Sequence, residues 1–270
     1  MKINSRRKFI KRVILAITSL AVIDMFWFER YIIDWNYFDI SNEDKDSKIK
    51  VVQLSDLHIQ SIKRFHKSIA SKINEMKPDL VCFTGDALDD NNNLEVLNLF
   101  LELLNPSIKK YAILGNWEYW GNVNIKQLNK IYKLHNCELL INENTTFTKN
   151  NRTINVIGID DFVGGTANIE QSIIGINSNN KALVLNHCPQ YFDTIKAKQK
   201  AVNANLVLSG HTHGGQITFL GIVPFKPQGS GHFLKGFYGK KLKMYVSKGI
   251  GTSILPIRFG SRAEVAVFDI

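Results

Sequence analysis

Five apolar runs in this chain each stop on residues that can bind a metal. IKVVQLSDLH, residues 49–58, reads as a strand ending in Asp56 and His58; DLVCFTGD ends on Asp86, KYAILGN on Asn116 and KALVLNH on His187, while NLVLSGHTHGG breaks into His211 and His213. Helix-like patterns over 65–76 and 94–104 separate the first three runs, and a hairpin-like NRTINVIGIDDF precedes the fourth. Such alternation predicts an α/β domain. In open α/β sheets, side chains from separate strands gather around a ligand at the strands' carboxyl ends. If the HTH tip continues extended, His211 and His213 point to the same side, because positions i and i+2 of a strand share a face.

Taken singly, an aspartate or histidine in a loop is ordinary. Two aspartates, one asparagine and four histidines on five strand ends, with no thiolate among them, are a donor set. Four-coordinate zinc would use three or four of the seven, whereas two ions sharing a bridging carboxylate would use them all and leave positions for water and substrate.

A chain of 270 residues with 44% hydrophobic content can bury one large core. Cys82, Cys137 and Cys188 are odd in number and lack CxxC spacing, so neither a disulfide framework nor a zinc ribbon is implied. The net charge of +10 would suit nucleic acid, but Lys2, Arg6, Arg7, Lys8, Lys11 and Arg12 supply six of the ten charges. No nucleic-acid partner is expected. Part of the remainder lies in Lys226, Lys235, Lys240, Lys241 and Lys243, which read as a solvated loop.

The first 28 residues place that basic cluster before an apolar stretch, 13–28, interrupted by Asp24. Ser5-Arg6-Arg7-Lys8-Phe9-Ile10-Lys11 resembles the twin-arginine export signal, and a membrane anchor with a plain basic flank is the alternative. Either way the positive end stays in the cytoplasm, so the catalytic part is expected across the membrane, the cytoplasmic face being the alternative. Trp27, Tyr31, Trp35 and Tyr37 would then sit at the membrane surface. The expected division is a signal or anchor over 1–28, a linker over 29–48 that includes the charged NEDKDSK, and a catalytic domain over 49–270.

The order DxH, GD, GN, H, GHxH resembles the signature of the calcineurin-like metallophosphoesterase family from about residue 49 onward. VIGIDDFVGG, LVLNHCPQYFD, SGHTHGGQI and YVSKGIGTSILPIRFGSRAEV look like its bacterial branch that carries an N-terminal export or membrane segment. The resemblance implies a four-layer αββα sandwich, two mixed sheets flanked by helices. It also implies two divalent ions, one held by Asp56, His58, Asp86 and His213, the other by Asp86, Asn116, His187 and His211, with Asp86, Asn116 and His211 central to catalysis. Imidazole with carboxylate favours manganese first, with iron or zinc as alternatives. The implied reaction is hydrolysis of a phosphodiester or pyrophosphate by a hydroxide bridging the ions. A phosphomonoesterase, a nuclease or a non-catalytic relative are the alternatives.

Where that family usually carries histidine after GN, this sequence has Trp117, followed by Glu118. The usual general acid is therefore missing, as it is in the related UDP-diacylglucosamine pyrophosphohydrolases. Because phosphate leaves a pyrophosphate unaided, pyrophosphates or activated diesters are expected over alkyl monoesters, and a lipid-linked or envelope phosphate is the expected substrate. His232, in a glycine-rich loop, is a candidate to replace the acid. Trp117, Tyr119 and Trp120 either face a base or acyl chain or pack beneath the site. His66 and His135 are expected on the surface.

Overall fold

The computed structural model describes residues 2–41, 47–219 and 221–270; residues 42–46, most of the expected charged linker, lie outside the described residues. The chain begins with helix α1 (Lys2–Ile23), a π-helical turn (Asp24–Phe28), the short α2 (Glu29–Tyr31) and strand β1 (Asp34–Asp39). Strands β2 (Lys50–Leu54), β3 (Leu80–Thr84), β4 (Lys109–Ile113) and β5 (Cys137–Leu139) follow, joined through α3 (Arg64–Met76), α4 (Leu94–Glu102), α5 (Asn116–Trp120) and α6 (Ile125–Leu134). The second half contains β6 (Glu143–Lys149), β7 (Arg152–Gly158), α7 (Ile169–Ser172), β8 (Ala182–Leu185), α8 (Phe192–Ala197), α9 (Gln199–Val202) and β9 (Ala204–Ser209). β10 (Gly236–Tyr238), β11 (Lys243–Val246) and β12 (Glu264–Asp269) close the fold.

Two six-stranded sheets result, in the orders β1-β12-β2-β3-β4-β5 and β10-β11-β9-β8-β7-β6. Both are mixed. β2 to β5 run parallel, as do β7, β8, β9 and β11, while β12 against β2, β6 against β7 and β10 against β11 are antiparallel. Each central strand is apolar on both faces because both faces are covered. Val51, Cys82, Tyr111 and Ile113 of the first sheet meet Val156, Leu183, Leu185, Leu206 and Leu208 of the second in the inner core. On the outer faces, Val52, Val81 and Ala112 pack under α3, α4 and α6, and Val184, Val207 and Val246 pack under Phe192, Ile195 and Val202. The fold is thus the four-layer α/β sandwich expected.

Cys82, Cys137 and Cys188 are buried free thiols. On α3, His66 shares the buried stripe of Ile69, Ala70 and Ile73, so the expectation of a surface histidine there fails: the 3.6-residue period places it on the core face. Its Nδ1 accepts the Lys63 N–H at 3.1 Å. His135, at the C-terminal cap of α6, is half-buried.

Residues 29–41 are not a linker. β1 pairs in parallel with β12 along its whole length, from Asp34 opposite Glu264 to Asp39 opposite Asp269. Its alternation explains the pairing: Phe38 faces the inner core, 4.9 to 5.4 Å from the rings of Phe237, Tyr245 and Phe268. Trp35, on the opposite face, lies under Lys72 of α3 at 4.2 Å. Trp35 therefore packs against the helical layer rather than a membrane surface. α1 leaves Phe9, Leu15 and Leu20 about two-thirds exposed, and no helix of the described residues is long and apolar enough to cross a membrane.

Burial, reinforced by the Lys63 charge, lowers the His66 pKa from 6.5 to about 4. The folded state thus disfavours the imidazolium, and stability that is fully present above pH 6.5 is lost as pH falls from 6.5 towards 4, by about 3 kcal/mol in all. The melting temperatures of wild type and His66→Gln should converge, or cross, across that window. A constant difference between pH 7 and pH 4 would show that His66 does not titrate in this way.

Candidate metal centre

The carboxyl ends of β2, β3 and β4 in one sheet and of β8 and β9 in the other open on one margin of the sandwich. The five ensuing loops bring Asp56, His58, Asp86, Asn116, His187, His211 and His213 together, every one of them buried. Two groups form, Asp56 with His58 and His213, and Asp86 with His187 and His211; within each, the donor atoms lie within 4.8 Å of one another. In the first, His58 Nε2 is 3.1 Å from His213 Nε2, and His213 Nε2 is 3.6 Å from Asp56 Oδ1. In the second, His187 Nε2 is 3.2 Å from Asp86 Oδ2, while Asn116 Oδ1 lies 3.3 Å from His187 Nε2 and 2.8 Å from His211 Nδ1. Asp86 Oδ2 is also 3.8 Å from His58 Nε2, so this carboxylate stands between the groups.

Five of the seven adopt left-handed backbone: Asp56 (φ 51°), His58 (42°), Asp86 (52°), His211 (73°) and His213 (50°). Such conformations cost on the order of 1–3 kcal/mol each for residues with a Cβ and persist only where the surroundings impose them. Here the loops are laced together. Asp56 and His58 donate their N–H groups to the carbonyls of Gly85 and Asp86, and Gly251 donates to the Asp56 carbonyl at 2.7 Å. The left-handed turns also overturn the same-face expectation for the HTH tip. With the backbone no longer extended, His211 enters the second group and His213 the first. The glycines of GD and GN make room: a Cβ on Gly85 would lie 2.4 Å from His187 Nδ1, and one on Gly115 2.3 Å from Asp86 Oδ1.

Outer partners set the histidine tautomers. Carbonyls and carboxylates only accept, so His187 Nδ1–H donates to Thr84 O at 2.7 Å, His211 Nε2–H to Gln228 O at 2.6 Å, and His58 Nδ1–H to Asp89 Oδ1 at 2.5 Å. In the neutral rings lone pairs are left on His187 Nε2, His211 Nδ1 and His58 Nε2, the atoms that face the cluster. Burial first, then the nearby His58 and Arg258, holds the His213 pKa well below its ordinary range, which keeps it neutral. Burial opposes ionisation of Asp86, but the adjoining His187 outweighs it and holds the carboxyl at about 2. With the rings neutral, converging buried lone pairs and carboxylate oxygens would repel one another. Burial opposes charging of His187, but the Asp86 charge outweighs it and raises the His187 pKa well above its ordinary range, so that without a cation a proton on His187 Nε2 offsets part of that repulsion. Mixed nitrogen and oxygen donors of this kind fit two adjacent divalent ions.

Glu118 accepts from the N–H groups of Gly115, Asp86, Ala87 and Leu88 at 2.6 to 3.2 Å, and so braces the Asp86 turn from below. Burial and the Asp86 charge push its pKa up to about 7 against those bonds. Trp117 donates its backbone N–H to Asp86 Oδ1 at 2.9 Å and sets its ring edge-on to His58. Tyr119 is committed to Asp160 by a 2.5 Å hydrogen bond and packs, whereas Trp120 is 55% exposed. His232 is exposed, lies against Phe233 and lines neither cleft at the site, so its loop does not deliver it as a replacement acid.

Sequence reading missed Asp89 and Arg258. Asp89, three residues beyond Asp86, also accepts from Gln60 at 2.6 Å. Arg258 is wholly buried, donates to Gly251 O and Ser261 O, and places Nη2 3.3 Å from His213 Nδ1. Its only sequence signal was the quoted LPIRFGSR stretch.

A family model described as Calcineurin-like phosphoesterase matches residues 49–215. The uncharacterized metallophosphoesterase YkoQ of Bacillus subtilis (strain 168) is 31% identical over 244 residues, covering 86% of this chain and 88% of that protein. YkuE of the same organism, also an uncharacterized metallophosphoesterase, is 28% identical over 288 residues, 100% of this chain and 99% of that one. The fold is similar to that of Haemophilus influenzae NAD nucleotidase (NadN), with a TM-score of 0.50 and 14% identity over 75% of this chain and 45% of that one.

Asp89→Asn keeps the size but loses the carboxylate that fixes His58. Manganese affinity, measured by isothermal titration calorimetry, should fall about 10- to 100-fold. Unchanged affinity would remove Asp89 from the centre.

Proposed function

Because the chain belongs to the calcineurin-like phosphoesterase family and is a metal-dependent phosphoesterase, we propose that it cleaves pyrophosphate or activated phosphodiester bonds in preference to alkyl phosphomonoesters. The observation that carries this reading is Trp117. It follows Asn116 directly and turns its indole to the edge of His58, and an indole ring N–H is a donor only, with no acid function at neutral pH. A positioned general acid contributes typically about 10² to 10⁴ in rate. Its loss matters little when the leaving group is a phosphate, whose second pKa is about 6, and greatly when it is an alkoxide, whose acid resembles water at about 15.7.

Two divalent ions, when bound, activate water and neutralise phosphoryl oxygens. The residues here supply the rest. Asp86 stands between the two groups and sets their separation. Asn116 offers a neutral oxygen, which limits the negative charge facing an anionic substrate. Manganese is the proposed metal, on the mixed imidazole and carboxylate donors.

The N-terminal segment is read as a retained membrane-directing element. Its basic residues Arg6, Arg7, Lys8, Lys11 and Arg12 adjoin exposed apolar side chains, a combination suited to an anionic membrane surface. The body grips its end: Arg258 N–H donates to Met25 O at 3.1 Å, and the Glu29 carboxylate accepts from Gly260 and Ser261 at 2.9 Å each. These bonds favour a retained anchor over a cleaved signal; from the basic cluster that precedes it, an extracytoplasmic catalytic domain and a lipid-linked or envelope phosphate substrate are part of the same proposal.

Manganese-loaded protein should release product from a nucleoside-diphospho-sugar at least about 100-fold faster than from a sugar monophosphate. Trp117→His should narrow that gap by raising monoester turnover. Faster release from the monophosphate by the wild type would refute the preference.

A further inference from the structure

Two clefts share Trp117, Ile254 and Leu255 along their common edge and differ in chemistry beyond it. One, about 520 Å³, runs past His58 between Arg30, Tyr31 and Lys63. The other, about 530 Å³, has Asp86, Asn116 and His211 at its inner end and leads outward between Trp117, Trp120, Ile217, Phe225, Ile254 and Leu255. Among the described residues no lysine or arginine lines this second cleft. Its outer members are exposed to an unusual degree for large apolar groups: Phe225 is 68% exposed, Ile254 81% and Leu255 50%. Exposed apolar surface of this extent, continuous with a candidate reaction centre, marks a ligand groove, and its volume falls in the roughly 300–1,000 Å³ range of such sites.

We propose that the second cleft is the subsite for one hydrocarbon chain of the substrate, whose phosphate lies over the metal-ligating cluster. This rests on the phosphoesterase reading and names the class of molecule within it: a phosphate ester or anhydride with an apolar tail on one side. The occupant follows from the groove's position and charge. Its inner end is formed by the ligands themselves, so whatever fills it is continuous with a group at the cluster. Its walls offer two indoles, a phenyl ring and aliphatic side chains, which suit methylenes, and beside the neutral Thr212, Gln216, Gln228 and Ser253 they give no positive charge to a second anionic group. Anionic and polar portions are directed instead to the first cleft, where Arg30 and Lys63 lie 4.9 and 5.4 Å from the Tyr31 ring.

Binding and turnover test the two readings separately. Metal-loaded full-length protein is titrated with methyl phosphate and with dodecyl phosphate below its micelle concentration, followed by tryptophan fluorescence. Each methylene removed from water strengthens binding about fourfold. With four or more methylenes in the groove, dodecyl phosphate should bind at least about 100-fold tighter. Phe225→Ser and Trp120→Ser change side chains that are 68% and 55% exposed and line the second cleft but not the first, and each should cut the chain-length advantage about tenfold or more. Equal affinity for the two phosphates, or an advantage untouched by both variants, would overturn the subsite. In parallel, methyl p-nitrophenyl phosphate is offered as a short activated diester. Absence of its hydrolysis alongside chain-dependent binding would refute the phosphodiesterase reading and leave the groove standing, whereas hydrolysis with chain-independent binding would do the reverse.

Discussion

The structure depends on forcing seven buried donor groups to face one another at one margin of the sandwich. Left without cations, this arrangement desolvates two carboxylates among four imidazoles, and protons drawn onto His187 and His58 by the neighbouring carboxylates offset only part of the cost. The surrounding backbone imposes it regardless. Five of the seven residues sit in left-handed conformations, and the loops that carry them are hydrogen-bonded to each other rather than to solvent. Glu118 adds four N–H contacts beneath the Asp86 turn. Local strain and electrostatic frustration together describe a site built to be relieved by divalent ions, which is the physical content of preorganisation.

The N-terminal segment is joined to that centre. Ser261 Oγ–H donates to His213 O at 2.6 Å, Arg258 reaches the same histidine's ring, and Glu29 accepts from the backbone of Gly260 and Ser261. A single turn, 258–261, therefore touches a ligand on one side and the helical entry segment on the other. β1 extends the same connection into the first sheet by pairing with β12. Composition separated residues 29–41 from the catalytic domain, but hydrogen bonding makes them part of it.

Much of the centre was legible because each donor ends an apolar run, a local pattern that needs no knowledge of contacts. His66 and Trp35 were misplaced because their environment is set by partners distant in sequence: α3 turns His66 inward beside Phe100, and Lys72 of the same helix covers Trp35. Asp89 and Arg258 escaped notice for a related reason. Neither is placed among the seven donors; each acts by aiming an imidazole that belongs to another segment, and no local pattern records such a partner.

By itself the sequence determined the alternation of buried strands and helices, the identity of all seven donors, and the substitution of tryptophan for histidine after Asn116, since these are properties of residue type and short-range order. Only the tertiary structure decided which nitrogen of His58, His187 and His211 is turned to the cluster, and that the clefts on either side of Trp117 differ in polarity. Those outcomes depend on loop backbone leaving the extended region and on hydrogen bonds between loops far apart along the chain, such as His58 with Asp89 and His211 with Gln228. Residue order alone does not carry distances of that kind.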